Sequence, residues 1–174
     1  GYIAVGIGLA TPLGFIGAIL HVFNHAVMKA CLFLVSARLE ATGQGIRIDG
    51  LTALANRKLP VTMTCFVIAA ISMIGLPPTA GFFSKWYLLL GSYENGAWIL
   101  VVVIISSSLL NAVYFFRIIE RIYLGNTGGE DVPVVVRLTR RNLAIVALGV
   151  SLLVAGIFNV WIVNNLIRPM LPAF

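Results

Sequence analysis

Charge is what this sequence has least of. Only 10% of its 174 residues are Asp, Glu, Lys or Arg, 60% are hydrophobic, and mean hydropathy is +1.01, whereas a soluble domain carries about 25% charged residues. Four stretches hold no charge at all: 1–28, 59–84, 95–116 and 142–167. Each exceeds the roughly 20 residues that cross a hydrocarbon core about 30 Å thick. A soluble enzyme, a disordered tail and a nucleic-acid module are excluded, and an all-α polytopic membrane protein is expected. Cysteine is nearly as scarce: Cys31 and Cys65 lie in apolar segments without CxxC spacing, so neither a disulfide framework nor a zinc site is indicated. There is no glycine loop to cradle phosphate and no Ser/His/Asp set, so no covalent catalysis and no cofactor are expected. The chain opens on Gly-Tyr-Ile-Ala-Val, without initiator Met, basic n-region or cleavage site. It reads as a piece of a larger protein rather than as a signal peptide.

The cations behind the formal charge of +6 sit in loops or singly inside apolar runs, and loop cations beside membrane spans suit anionic lipid headgroups and not nucleic acid. Thr11-Pro12 ends a first, short apolar run, because the residue before proline is pushed out of helix. A second run, about 14 to 37, sets Gly14, Gly17 and Ala18 at a spacing that lets a neighbouring helix come close in lipid. Residues 38–58 form a first polar loop and 117–141 a second, between spans at about 97–119 and 142–166. The four and five cations of these loops hardly discriminate the two faces. About five complete spans are expected, plus a partial first one. The span near Pro77-Pro78 is expected to be interrupted, since Gly75, Pro77, Pro78 and Gly81 fall inside the apolar stretch 59–90 and two prolines leave carbonyls unpaired. Such a break marks either a discontinuous helix beside an ion site or a tight turn joining two spans at the membrane surface.

An ionisable group within a span is costly, so each is a functional candidate. His21, His25 and Lys29 stand at i, i+4 and i+8, which puts them on one helical stripe. Imidazoles and an amine about 6 Å apart suit a proton wire, with histidine loading and unloading near neutral pH. The structural alternative is a pair of hydrogen-bonded histidines and a lysine snorkelling to the interface. Lys85, four residues past Gly81, is a candidate gated proton carrier; its alternative is snorkelling beside Trp86 and Tyr87. Asn111, after Ser106, Ser107 and Ser108, either bonds across helices or touches a hydrophilic path. A metal on His21 and His25 is not expected, because no carboxylate or cysteine shares their face.

Two motifs carry a resemblance. His21-Val-Phe-Asn-His25-Ala-Val-Met-Lys29-Ala-Cys-Leu-Phe-Leu34 resembles the H-x3-H-A-x2-K-A-x-L-F-L helix of the antiporter-like subunits shared by respiratory complex I, Mrp-type cation/proton antiporters and membrane-bound hydrogenases. Arg57-Lys58-Leu-Pro60 followed by Gly75-Leu-Pro77-Pro78-Thr-Ala-Gly81-Phe-Phe-Ser84-Lys85 is similar to that family's R-K-x-P and G-x-P-P-x-A-G-F-x-S-K segments. The likeness covers about 1–125, and the Ser-Lys-Trp-Tyr continuation looks more like the Mrp D-type or hydrogenase branch than the distal complex I subunit. It implies residues 1–125 as a carboxyl-terminal five-helix repeat with a partial first helix, 126–141 as a charged loop on the cytoplasmic side, and 142–174 as a trailing helix and tail. It further implies H+ or Na+ translocation through His21, His25 and Lys29 to Lys85, in the lipid bilayer of a bacterial, archaeal or organellar inner membrane. Partners would be other membrane subunits, including the missing amino-terminal half. The rival is a scaffold subunit without a transport path of its own.

Overall fold

The computed structural model describes residues 1–41, 59–124 and 140–171. Most of the two charged loops, and with them Arg57 and Lys58 of the second motif, lie outside the described residues. Every regular element within them is helical. Helix α1 (Tyr2–Gly8) ends where Ala10 takes a left-handed φ of 49°. The chain then re-enters helix at α2 (Pro12–Glu40). Thr11 is extended there and its Oγ1 accepts from the Gly14 N–H at 3.1 Å, with Pro12 in the first turn where its missing N–H costs nothing. Thr11→Ala should therefore cost about 1 kcal/mol of stability, read by thermal unfolding in detergent.

Helix α3 (Pro60–Ile74) stops at Gly75, whose φ of 90° is a left-handed C-terminal cap that a residue with a Cβ adopts only under strain. After Leu76-Pro77-Pro78 and an extended Thr79, α4 (Ala80–Glu94) begins. Helix α5 (Trp98–Leu124) and helix α6 (Arg140–Ile157) follow. The last segment then bends by 74° at Phe158 into α7 (Asn159–Ile162), which loosens through a π turn to a 3-10 turn ending at Met170.

Among the described residues two helices, α2 and α5, are long and apolar enough to cross a membrane, and a third if α6 and its bent continuation count as one. This is fewer than the five complete spans expected. The physical reason is length: α3 and α4 have 15 residues each, about 22 Å at 1.5 Å per residue, which falls short of the hydrocarbon core. A charge-free run counts residues and does not register where the backbone breaks. The same holds for 142–166, one apolar run in the sequence and two pieces in the fold.

Glycines set the packing. A Cβ at Gly17 would come within 2.8 Å of the Leu88 side chain, and one at Gly14 within 2.7 Å of the Gly6 carbonyl. Gly91 abuts the Gly14 amide in the same way. The α1, α2 and α4 backbones thus meet closely, as small residues permit in lipid. A second core joins α2, α3 and α6 around Met28, Cys31, Met63, Cys65, Ala69, Ile145 and Leu152. Both cysteines are buried and free. Helix α5 presents most of its large apolar side chains outward, Ile99, Leu110 and Val113 among them. With lipid as solvent that exposure carries no penalty.

Candidate functional site: a buried amine at a helix break

The end of α3 has a backbone problem. The last carbonyls of a helix lack intrahelical partners, and Pro77 and Pro78 have no N–H to offer them. The solution is Lys85. Its Nζ donates to the Met73 carbonyl at 2.9 Å, to the Ile74 carbonyl at 2.9 Å and to Ser108 Oγ at 3.0 Å. Three acceptors saturate the three donors of an ammonium, and the negative end of the α3 dipole faces the charge. The Tyr2 ring lies 5.1 Å from Nζ, a distance at which a π face attracts a cation. Lys85 is only 5% exposed. It therefore does not snorkel; its amine turns back to the helix break while Trp86 alone is exposed.

Three more side chains hold the break. Ser72 Oγ accepts from the Gly81 N–H at 3.1 Å, Asn24 Nδ2 donates to the Ala80 carbonyl at 2.8 Å, and Thr79 Oγ1 donates to the Leu76 carbonyl at 2.6 Å. Ser72 is wholly buried and Asn24 nearly so. Gly81 has to be glycine, because a Cβ there would run into the Ser72 backbone carbonyl. The Gly75–Gly81 segment is thus a connection between two helices, with Leu76, Pro77 and Pro78 exposed, and it is also the place where an ionisable side chain meets freed carbonyls.

The stripe on α2 reaches this amine through aromatic and hydroxyl groups. His21 is buried, and its ring stacks on that of His25 with centroids 5.5 Å apart. The His21 ring also lies 4.9 Å from that of Tyr2. Tyr2 in turn sits beside Lys85 and donates its hydroxyl to Ser107 Oγ at 2.9 Å. His21 Nδ1 is 3.1 Å from Ser84 Oγ, one residue before Lys85. The fold therefore brings His21, His25 and Lys85 into one cluster. Lys29 stands a turn further along, half-buried, and lines a different cavity of about 360 Å³ with Leu32, Phe66 and Tyr114. Asn111 is half-buried on α5, one turn beyond Ser107 and Ser108. A cavity of about 290 Å³ opens beside Lys85, walled by Ile74, Phe82, Ile104 and Leu109.

Sequence reasoning passed over Tyr2, Asn24, Ser72 and Ser84 as site residues. Tyr2 and Ser72 carry no signal in the linear pattern. Asn24 and Ser84 do, since each directly precedes a residue already singled out, His25 and Lys85.

These features define a class: a helical membrane bundle that gathers several buried polar side chains around a helix break. A family model described as NADH:quinone oxidoreductase/Mrp antiporter, TM, matches residues 1–111. NADH-quinone oxidoreductase subunit N of Desulforudis audaxviator is 44% identical over 99% of this chain and 36% of its own length. The D-type Na(+)/H(+) antiporter subunit of Alkalihalophilus pseudofirmus is 34% identical over 68% of this chain and 24% of its own. Among solved structures, a chain of the Mrp complex from Dietzia sp. superposes with a TM-score of 0.81, covering 97% of this chain and 41% of that one at 22% identity. A chain of respiratory complex I from Thermus thermophilus gives 0.69, over 94% and 36%, also at 22% identity. The chain belongs to the NADH:quinone oxidoreductase/Mrp antiporter membrane family and is an integral membrane protein. It spans about a third or less of the length of these curated relatives.

Proposed function

We propose that this chain supplies one half-channel of an H+- or Na+-translocating subunit in a multisubunit membrane complex of the complex I or Mrp type. Residues 1–125 act as the carboxyl-terminal repeat, 126–141 as a connecting loop and 142–174 as a trailing helix. Protons pass between Lys29 and Lys85 by way of His25 and His21, with His21 the member nearest Lys85, driven by charge changes in a neighbouring repeat that this sequence does not contain. The observation that carries this reading is the amine of Lys85, buried and hydrogen-bonded without a carboxylate among its bonded partners, at the end of a stacked imidazole pair. A buried cation held by neutral acceptors costs free energy, and the stacked imidazoles beside it add titratable groups that capping α3 does not need.

The test uses the whole complex in sealed vesicles. His25→Gln and Lys29→Met should each slow ion translocation by about tenfold or more, the effect of adding about 1.4 kcal/mol to one transfer step. The subunit composition of the purified complex should not change. Unaltered translocation with lowered thermal stability would be the result expected of a scaffold and would overturn the reading.

A further inference from the structure

Ser84 is completely buried on the first turns of α4 and has two polar neighbours at the same distance. Its Oγ lies 3.1 Å from the Gly81 carbonyl and 3.1 Å from His21 Nδ1. A hydroxyl has a single proton to donate. The Gly81 carbonyl can only accept, whereas a ring nitrogen accepts or donates according to tautomer. If Ser84 gave its proton to His21, two acceptor oxygens would face each other at 3.1 Å with nothing between them. If Ser84 gives its proton to Gly81, as helical serines commonly do to a preceding carbonyl, both contacts are hydrogen bonds, provided that His21 donates from Nδ1.

We propose that Ser84 is a positioning residue that selects the tautomer of His21, holding the proton on Nδ1 and leaving Nε2 as the nitrogen that takes up and returns a proton. The hydrogen bond made by one ring nitrogen decides the role of the other. Nδ1–H is present in both the neutral and the cationic ring, so the bond to Ser84 survives a full cycle of loading and unloading. The first turn of α4, and the backbone that carries Lys85, stays undisturbed while the proton comes and goes. Among the described residues, the other titratable groups around the ring are His25 on α2, Tyr2 on α1, Lys85 on α4, whose amine is 5.1 Å from the Tyr2 ring, and the amine of Gly1. Significance for transport rests on the half-channel reading; the tautomer itself does not.

The experiment is solid-state nitrogen NMR of the full-length, histidine-labelled complex in liposomes, at a pH where His21 is neutral, with the signal assigned by its loss in His21→Gln. The expected spectrum shows Nδ1 protonated and Nε2 bare. Ser84→Ala should move the proton to Nε2. If the alanine variant does not assemble, Ser84→Cys, of similar size and a weaker acceptor, is examined in the same way. A proton on Nε2 in the unmodified protein, or a tautomer indifferent to either substitution, would overturn the proposal. No transport is measured here, so a failed tautomer assignment and a failed translocation pathway are distinguishable.

Discussion

If the proposed half-channel operates, Lys85→Ala should abolish ion translocation by the assembled complex, and Lys85→Arg should abolish it too while leaving the fold nearly as stable as before: this pair of outcomes is the largest functional effect expected. Alanine removes the carrier, but it also strips the Met73 and Ile74 carbonyls and Ser108 of their shared donor. Leaving such groups unpaired in a buried place costs about 1–3 kcal/mol, so a loss of transport in the alanine variant has two explanations. Arginine separates them. It keeps the charge and the hydrogen-bond donors, and the cavity of about 290 Å³ beside Lys85 has room for the larger head. A guanidinium does not give up its proton in proteins. If Lys85 only caps α3, the arginine variant works; if Lys85 must release a proton, it does not. The measurement is proton or sodium uptake into vesicles, paired with thermal unfolding of each variant. Normal uptake in Lys85→Arg would reduce the amine to a structural cap.

The largest effect on stability belongs to Gly81. Gly81→Ala should destabilise the fold by about 4 kcal/mol or more, or prevent assembly. Its Cβ would collide with the Ser72 backbone carbonyl, and backbone cannot rotate away as the tip of a side chain can. Relief means moving α3 away from α4, and this breaks the bond from the Gly81 N–H to Ser72 Oγ and disturbs the carbonyls that Lys85 holds. Gly156 faces a comparable restriction on α6, where a Cβ would meet the Pro78 carbonyl. The control is Gly96→Ala. Gly96 has a φ of 67° but open space around it, so the cost there is only the left-handed backbone of a residue with a Cβ, about 1–2 kcal/mol. Unfolding midpoints in detergent would rank the variants. Near-equal losses at Gly81 and Gly96 would mean that the α3–α4 contact is looser than the geometry requires.

Both predictions depend on features that differ in how far the linear sequence shows them. The charge-free runs made the chain a helical membrane protein, because a hydrocarbon core admits few charges and that constraint is written in composition alone. The i, i+4, i+8 placing of His21, His25 and Lys29 assigned a stripe, since helical periodicity depends on spacing only. Small residues at 14 and 17 marked a close seam, and two glycines with two prolines marked a break. Motif order pointed to the family, and the match over 1–111 agrees.

Tertiary structure decided everything that turns on distance between remote residues or on where the backbone bends. It made α3 and α4 too short to cross alone and bent the last span by 74°, because a hydropathy run records transfer free energy per residue and not the path of the axis. It turned the Lys85 amine onto the end of α3, where Gly75 leaves the Met73 and Ile74 carbonyls open to accept from it. It joined His21 to Ser84 across 63 positions and Tyr2 to Ser107 across 105, and it left Lys29 lining a separate cavity. By itself the sequence determined which side chains are too polar for their surroundings. Only the fold determined which of them satisfy one another, because that depends on three-dimensional proximity, which spacing along one helix does not encode.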